Sequence, residues 1–431
     1  MNKLQVLKQF LGLKLRGKFR SREALVAYQE IRWAAFVNST LTQSPFYLPY
    51  IKGGKVNRQT LPIIEKATFM DHFNEINTVG IDRDEAMALA VKAESSRDFD
   101  STMGDITVGL STGTSGKRGL FLISPSERES WVVMVMDRIL PPKWLKKQKV
   151  AFFLRANSNL YTSVQSAIYD FKYFDIFQPI ESLAKDLLVY QPDVLAGQPS
   201  ILMALTDILT QGNSKPTPWR PKQIVSFAEV LHPEDAAVLK TVFDAPIREV
   251  YQCTEGLLGV SCDHGTMHLN EDNLIVEQEW IDDQYFRPIV TDFTRKSQPV
   301  IRYRMSDVLK VKQSPCECGS PFMAIEKILG RDDDVLWIQG KRVFPDVLSR
   351  KIALATDAFS RYEIVQTGEA EIQVHIQSNK FEETKAAIAS VLDEYLLAQQ
   401  NQPFQILWHS TKFNPSLKQR KIRHEIQHTI H

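Results

Sequence analysis

A segment rich in hydroxyl groups and glycine lies at residues 108–121, where the sequence reads VGLSTGTSGKRGLF. Its centre holds four hydroxyl side chains, two glycines and a lysine: Ser111, Thr112, Gly113, Thr114, Ser115, Gly116 and Lys117. Glycine lets the backbone turn its N–H groups inward, and hydroxyl and ammonium groups donate hydrogen bonds, so this pattern is typical of a phosphate-binding loop. It is not a Walker A loop, because Ser111 stands where the first glycine belongs and Arg118 follows the lysine. An ordinary polar loop is the alternative interpretation.

The cysteines of the chain predict a second kind of site. Two short pairs, Cys262-x-His264 and Cys316-x-Cys318, supply the ligand set of a tetrahedral zinc site. Four protein ligands leave no open coordination position, so we expect a structural zinc ion rather than a catalytic one. His268 competes with His264 as the fourth ligand. Reduced thiols packed as small apolar groups are the alternative.

Other chemically suggestive residues occur in four stretches further along the chain. These are VYQCTEG (250–256), VIRYRMSD (300–307), LGRDDDVLWIQGKRVFP (329–345) and LKQRKIRHEI (417–426). The first sets Tyr251 and Glu255 four positions apart, and the second ends at Asp307. Each pattern is weak by itself, because such spacings arise by chance and a basic tail is usually a solvated surface.

The elements that must position these residues alternate between strand and helix from about residue 149. Short apolar runs predict buried strands, and helical patterns lie between them; the runs are 149–156, 192–198, 222–230 and 246–252. Such alternation predicts an α/β fold with a mainly parallel sheet packed with helices. After about residue 270 the pattern is β-rich, and residues 335–431 read as a small α+β unit.

Composition narrows the function classes. The chain has 431 residues, 43% hydrophobic and 24% charged, with a net charge of +1. This excludes wholesale disorder and gives no electrostatic reason to expect a nucleic-acid partner. The basic N-terminus, MNKLQVLKQFLGLKLRGKFR, lacks the features of a secretory signal, and we expect it to pack on its own domain rather than on a membrane surface. The few cysteines make the cytoplasm the expected compartment.

In their order, the motifs resemble those of the adenylate-forming superfamily of acyl-CoA synthetases. The resemblance is greatest to the phenylacetate–CoA ligase branch, especially its deazaflavin-coenzyme-adenylylating relatives. That branch carries S-[ST]-G-T-[ST]-G-K, Y-x-x-[ST]-E, I-R-Y-R-x-x-D, and G-R-x-D-D followed by G-x-x-V-F-P, and all four are present here. The resemblance runs from about residue 40 to the end.

The resemblance implies an ATP site with Mg²⁺. The loop Ser111–Lys117 would hold the β- and γ-phosphates, and Glu255 would be a magnesium ligand. Tyr251 would stack on adenine, Asp307 would accept hydrogen bonds from the ribose hydroxyls, and Arg331 would lie near ribose and phosphate. Thr254, in the same motif as Glu255, belongs to the implied nucleotide site.

The resemblance also implies a mobile C-terminal domain with a catalytic lysine. Lys421 matches best, although Arg420 stands where glycine is usual, and Lys418 is the alternative. Asp333 matches the hinge of the family. The implied organisation is a large N-terminal adenylation domain with a β-rich subdomain (1–330), a hinge (331–334) and an α+β lid (335–431).

Two activities follow from the resemblance. The first is activation of a carboxylic acid, expected to be aromatic, to an acyl adenylate, followed by transfer to coenzyme A or to an acyl carrier protein. The second is a nucleotidyl transferase that adenylylates a hydroxyl of an aromatic coenzyme or metabolite, which Arg118 after the loop lysine favours slightly. A non-enzymatic binding module is disfavoured by the intact motifs. A homodimer is left open.

Overall fold

The computed structural model describes most of the chain. The described residues are 3–16, 18–96, 101–110, 119–140, 146–154, 159–210, 217, 219–331, 336–338, 341–343, 348, 352, 355–356, 358–359, 361–368, 370–397, 405–412 and 422–424. All structural statements below concern these residues.

The helices lie mostly in the N-terminal two thirds of the chain. They are α1 (Lys3–Arg16), α2 (Arg22–Ser39), α3 (Lys66–Asp71), α4 (Phe73–Ile76), α5 (Arg83–Ser96), α6 (Pro125–Arg138), α7 (Asn159–Thr162), α8 (Ile180–Tyr190), α9 (Pro199–Thr210), α10 (Pro233–Phe243) and α11 (Phe381–Leu397). Short 3₁₀ turns occupy Leu41–Gln43, Leu48–Tyr50 and Arg58–Thr60.

The strands divide into an N-terminal group, a central group and a C-terminal group. The first two groups are β1 (Thr102–Met103), β2 (Ile106–Leu110), β3 (Leu120–Ile123), β4 (Gln148–Leu154), β5 (Tyr169–Asp175), β6 (Val194–Gly197), β7 (Gln223–Phe227), β8 (Ile247–Gln252), β9 (Leu257–Ser261), β10 (Met267–Leu269), β11 (Leu274–Trp280), β12 (Tyr285–Asp292), β13 (Val300–Arg304), β14 (Asp307–Val311) and β15 (Ala324–Arg331). The C-terminal group is β16 (Leu336–Ile338), β17 (Lys341–Val343), β18 (Arg361–Gly368), β19 (Glu371–Gln377), β20 (Gln405–Ser410) and β21 (Ile422–His424).

One 12-stranded sheet dominates the described residues. Its parallel half has the order β5-β4-β6-β7-β8, and the helices α8, α9 and α10 lie between its strands in the chain, as the alternating pattern predicted. The antiparallel half begins where β8 pairs with β9 and continues through β10, β15, β14 and β12 to β11, with β13 beside β12. The β-rich region predicted after residue 270 therefore extends the same sheet. The α/β fold class is confirmed.

Both faces of the parallel half are covered, which explains the near-continuous apolar runs in its strands. On one face, Ala151 and Phe153 of β4 pack with the crossover helices in one apolar cluster. On the other face, Val150 packs with α6 and with Val6 and Phe10 of α1 in a second cluster. The basic N-terminal helix thus packs on its own domain. Among the described residues, no helix has both the length and the apolarity needed to cross a membrane.

The C-terminal residues have a core of their own. A four-stranded sheet of order β20-β19-β18-β21 packs its buried side chains with α11, and the hairpin β16–β17 precedes it in the chain. The buried set consists of Leu336, Leu348, Ile352, Tyr362, Ile364, Ile372, Val374, Ile376, Ile388 and Leu392. An apolar cluster confined to this segment is what an independently folding α+β unit requires.

Helix α6 begins with a capping box that also anchors a distant loop. Ser124 accepts a hydrogen bond from the Glu127 N–H, the Glu127 carboxylate accepts one from the Ser124 N–H, and proline occupies the first turn. The same buried carboxylate accepts hydrogen bonds from the backbone N–H groups of Lys296, at 2.7 Å, and Ser297, at 3.0 Å. Glu127 therefore fixes the loop between β12 and β13 against the start of α6.

We predict that Glu127→Ala destabilises the protein by about 1–3 kcal/mol, because the buried N–H groups lose their acceptor. Urea unfolding followed by tryptophan fluorescence measures the change. Glu181→Ala is the matched control, since Glu181 is also an acid in the first turn of a helix but is exposed. Equal losses for the two variants would show that the loop anchor contributes nothing beyond the helix dipole.

Candidate functional site

Several residues that the sequence predicted for the site lie outside the described residues. These are the loop Ser111–Lys117, Asp333, Lys418 and Lys421. For Arg331 the structure describes the backbone, which ends β15 and pairs in register with Asp307 of β14. The roles predicted for all of these residues stay predictions.

Tyr251 and Asp307, predicted for the adenosine part of the nucleotide, are in direct contact. The Tyr251 hydroxyl donates a hydrogen bond of 2.6 Å to Asp307 Oδ2. Tyr251 is buried, and burial, with the Asp307 carboxylate as the second cause, raises the pKa of its hydroxyl well above the usual value. The tyrosine therefore stays a neutral donor and holds the carboxylate in one orientation.

This contact requires a strongly curved sheet. Strands β8 and β14, which carry Tyr251 and Asp307, are four strand spacings apart in the sheet order. In a flat sheet these spacings would add to about 19 Å, more than the two side chains can bridge. The antiparallel half therefore bends back toward the end of β8.

The turn after β8 carries Thr254 and Glu255 and is closed by glycine. The Cys253 N–H donates to the Gly256 carbonyl at 3.1 Å. A Cβ at Gly256 would lie only 2.6 Å from Asp292 Oδ2, so a side chain cannot fit there without movement. Burial, followed by the effect of the Glu255 carboxylate, raises the pKa of the Cys253 thiol well above its usual value, so it is not a ready nucleophile.

Asp292 supports this turn and was not singled out from the sequence. Its side chain is buried, and Oδ1 accepts hydrogen bonds from the Thr294 N–H at 2.7 Å and the Thr294 hydroxyl at 2.6 Å. Burial raises the pKa of Asp292 to about 6, although the Thr294 hydrogen bonds oppose the shift. An aspartate after an apolar strand gave no sequence signal for this role, because the role depends on contact with the turn after β8.

A small cavity of about 20 Å³, which opens to solvent, lies beside Thr254 and Glu255. Its polar wall contains Gly119, which directly follows the predicted phosphate loop, together with Arg295 and Gln298. Apolar side chains, including Phe69 and Phe121, complete the wall. The cavity therefore brings Thr254 and Glu255 of the Y-x-x-[ST]-E motif together with Gly119, which follows the loop motif in the chain.

The two arginines of the I-R-Y-R motif make hydrogen bonds and ion pairs that join separate segments of the fold. Arg302 has φ of 44°, and its guanidinium donates to the Glu277 carboxylate, to Gln59 O and to Leu61 O. Arg304 donates to Glu279 at 2.7 Å and also pairs with Glu65. Both arginines thus tie the segment 59–65 to the sheet, while Tyr303 between them lines the cavity.

Three cysteines and one histidine form a compact group in the antiparallel half of the sheet. One ligand atom from each of Cys262, His268, Cys316 and Cys318 lies within 4.8 Å of all the others. Two of these distances are 3.7 Å between the Cys262 and Cys316 sulfurs and 3.3 Å between Cys318 Sγ and His268 Nε2. These spacings suit four ligands around one tetrahedral ion.

The histidine that the structure places in this group is His268, which the sequence left as the competing choice beside His264. His268 is a buried residue of β10, which pairs with both β9 and β15, so its ring faces the cysteine sulfurs. Its Nδ1 lies 3.2 Å from the Phe322 carbonyl, which leaves Nε2 for the group. His264 lies in the exposed turn before β10, where its Nδ1 is 3.3 Å from the Glu317 carboxylate.

Comparisons with known proteins establish the fold class. No family model matches the chain. The structure superposes on 2-hydroxyisobutyryl-CoA ligase in its postadenylation state with 2-HIB-AMP, with a TM-score of 0.64 and 14% identity, covering 94% of this chain and 89% of that one. The chain therefore has the fold of the adenylate-forming acyl-CoA ligases.

Sequence similarity points to one branch within that class. The chain is 28% identical over 107 residues to phenylacetate-coenzyme A ligase of Thermus thermophilus. The matched residues make up 24% of this chain and 24% of that ligase. It is 24% identical over 233 residues to protein CapK of Staphylococcus aureus, which is 53% of this chain and 51% of CapK. The matches thus span about half of one relative and a quarter of the other. The resemblance to the phenylacetate–CoA ligase branch is confirmed.

We predict that Gly256→Ala lowers stability by about 1–3 kcal/mol, because the added methyl group must displace the buried Asp292 carboxylate. The midpoint of thermal unfolding measures the effect. Gly12→Ala is the control, since a Cβ at Gly12 meets nothing within 4 Å. An unchanged midpoint for Gly256→Ala would show that the turn after β8 is not packed on Asp292 as described.

Proposed function

We propose that the protein uses ATP to activate a carboxylic acid to an acyl adenylate and then transfers the acyl group to the thiol of coenzyme A. The observation that carries this proposal is the cavity that joins Thr254 and Glu255 to Gly119, and the contact between Tyr251, three residues before Thr254, and Asp307 supports it. The named activities of the phenylacetate–CoA and 2-hydroxyisobutyryl-CoA ligases support it. The expected substrate is an aromatic acid.

In the first half-reaction, a carboxylate oxygen attacks the α-phosphorus of ATP, and the bond to the β-phosphate oxygen breaks. The products are acyl adenylate and pyrophosphate. Negative charge accumulates on the leaving pyrophosphate, so donors fixed beforehand around it lower the barrier. The loop Ser111–Lys117 would supply these donors, and Glu255 would hold Mg²⁺ against the phosphates.

The adenosine end would be held by Tyr251 and Asp307. A carboxylate accepts hydrogen bonds from two vicinal ribose hydroxyls, and the neutral Tyr251 hydroxyl fixes its orientation. The neighbouring Arg331 would add a positive charge near ribose and phosphate. Tyr251 lies one residue before the end of β8, where its ring would meet adenine.

The C-terminal unit would act as a lid. Residues 335–431 would rotate about the hinge 331–334 with respect to residues 1–330, which brings Lys421 to the α-phosphate and the substrate carboxylate. A lysine there would neutralise the negative charge of the α-phosphate and the substrate carboxylate, which meet in the first half-reaction only. The separate apolar core of the C-terminal residues supports this division.

The second candidate function is adenylylation of a hydroxyl group without thioester formation. Arg118 favours it, because proline commonly follows the loop lysine in the ligases. The two functions differ in what the first half-reaction needs, since only the ligase requires a carboxylic acid for exchange of pyrophosphate into ATP.

We predict that exchange of labelled pyrophosphate into ATP depends on an added aryl acid, and that coenzyme A then releases AMP. Lys421→Ala should reduce the exchange about 100-fold or more, while transfer from preformed acyl adenylate to coenzyme A persists. Lys418→Ala is the matched control and should keep the exchange within about threefold of the wild type.

Other outcomes of this assay are equally informative. Exchange that requires an added aromatic hydroxyl compound, and no carboxylic acid, would support the nucleotidyl transferase instead. Unchanged exchange in both lysine variants would contradict the role of Lys421.

The cysteine and histidine group is proposed to hold a structural zinc ion. Three thiolates and one imidazole are a common zinc ligand set, and the hydrogen bond from His268 Nδ1 to Phe322 O is the outer support that such ligands use. With four protein ligands the ion has no position for substrate. Its expected effect is to join the β9–β10 hairpin to the segment before β15.

We predict about one zinc ion per chain in protein purified without chelators, measured by plasma mass spectrometry. His268→Ala should lose the zinc, whereas His264→Ala, the matched control four residues earlier in the turn of the same hairpin, should keep it. Zinc retained by the first variant and lost by the second would restore His264 as the ligand. Wild-type protein without zinc would remove the proposal.

A further inference from the structure

A buried arginine in the cavity has no hydrogen-bonded anion within the described part of the chain, although the Asp292 carboxylate is close enough to interact with its charge. Arg295 is 6% exposed, and it lines the cavity together with Thr254 and Glu255. Its Nε is buried and without a hydrogen-bond partner. No hydrogen bond or ion pair to its guanidinium occurs among the described residues. Burying a guanidinium without a paired anion costs free energy, so this site favours the binding of an anion.

The loop that carries Arg295 is held rigidly beside the strand that follows the phosphate loop. Gln298 Oε1 accepts from the Leu122 N–H at 3.1 Å, and its Nε2 donates to Leu120 O at 3.3 Å. The Ser297 carbonyl accepts from the Thr78 N–H at 3.0 Å. These bonds and the Glu127 contacts hold the loop that carries Arg295 beside β3, whose first residue directly follows Gly119.

The charges around the cavity favour an anion at Arg295. Lys66 also lines it, and Glu255 is the single carboxylate of the described lining. The Asp292 carboxylate is near enough to interact electrostatically with Arg295, but its Oδ1 already accepts two hydrogen bonds from Thr294.

We infer that Arg295 binds the β- and γ-phosphates of ATP and the pyrophosphate that leaves in the first half-reaction. This inference rests on the proposed function and adds a phosphate-binding residue that none of the sequence motifs contains. A guanidinium offers donors in a fork that matches two phosphate oxygens at once. It would act on the phosphate tail and leave the AMP part of the nucleotide untouched.

The test measures Mg-ATP, pyrophosphate and AMP binding by calorimetry. Arg295→Gln should weaken Mg-ATP and pyrophosphate binding at least tenfold and leave AMP binding within twofold. The control is Arg287→Gln, which removes a guanidinium that pairs with Glu279 and is not part of the cavity wall. It should leave all three affinities within twofold of the wild type.

Each result separates the inference from the proposed function. Equal affinities in wild type and Arg295→Gln would overturn the inference alone, and an equal loss for AMP would show a structural role. Binding of pyrophosphate but not of Mg-ATP by the wild type would support the anion site and overturn the proposed function, and binding of neither would overturn both.

If Arg295→Gln does not fold, the Arg295→Lys variant provides the test. A threefold or larger fall in its pyrophosphate affinity relative to its AMP affinity supports the inference, and an unchanged ratio of the two affinities overturns it.

Discussion

The hydrogen bond from Tyr251 to Asp307 is possible only because one sheet changes character and curves back on itself. At β8 the sheet passes from parallel to antiparallel neighbours. Parallel strands need crossover helices, whereas antiparallel strands connect by short turns, so the chain after β8 can return at once. The turn with Thr254 and Glu255 lies at this transition, and the motif residues meet there for that reason.

Around that turn, polar groups are held by other groups of the protein. Gly256 allows the Asp292 carboxylate to approach, Thr294 orients that carboxylate, and Glu127 anchors the loop that follows. A site whose donors and acceptors are already oriented loses little free energy in reorganisation when charge develops during a reaction. The arginines of the I-R-Y-R motif contribute by holding the sheet to the segment 59–65.

The sequence allowed the α/β class and the parallel strands to be predicted, because strands buried on both faces are almost wholly apolar. It did not reveal β5, where YDFKYFD mixes charged and aromatic residues at the edge of the sheet. The three cysteines of the cysteine and histidine group were singled out from the sequence, and its histidine, His268, was the competing choice. The choice between His264 and His268 depends on the register of the β9–β10 hairpin, which two short ligand pairs do not define. Arg295 and Asp292 gave no local signal, because their roles arise from contacts between segments far apart in the chain. Glu127 stands in a local S-x-x-E capping pattern, but that pattern does not reveal its contact with the loop between β12 and β13.

The central claim is that a nucleotide occupies the cavity after β8. A crystal structure with Mg²⁺ and a non-hydrolysable ATP analogue tests it most directly. The account predicts ribose at Asp307, the metal ion at Glu255 and the phosphate tail between Gly119 and Arg295. A nucleotide bound elsewhere, with this cavity holding only solvent, would contradict it.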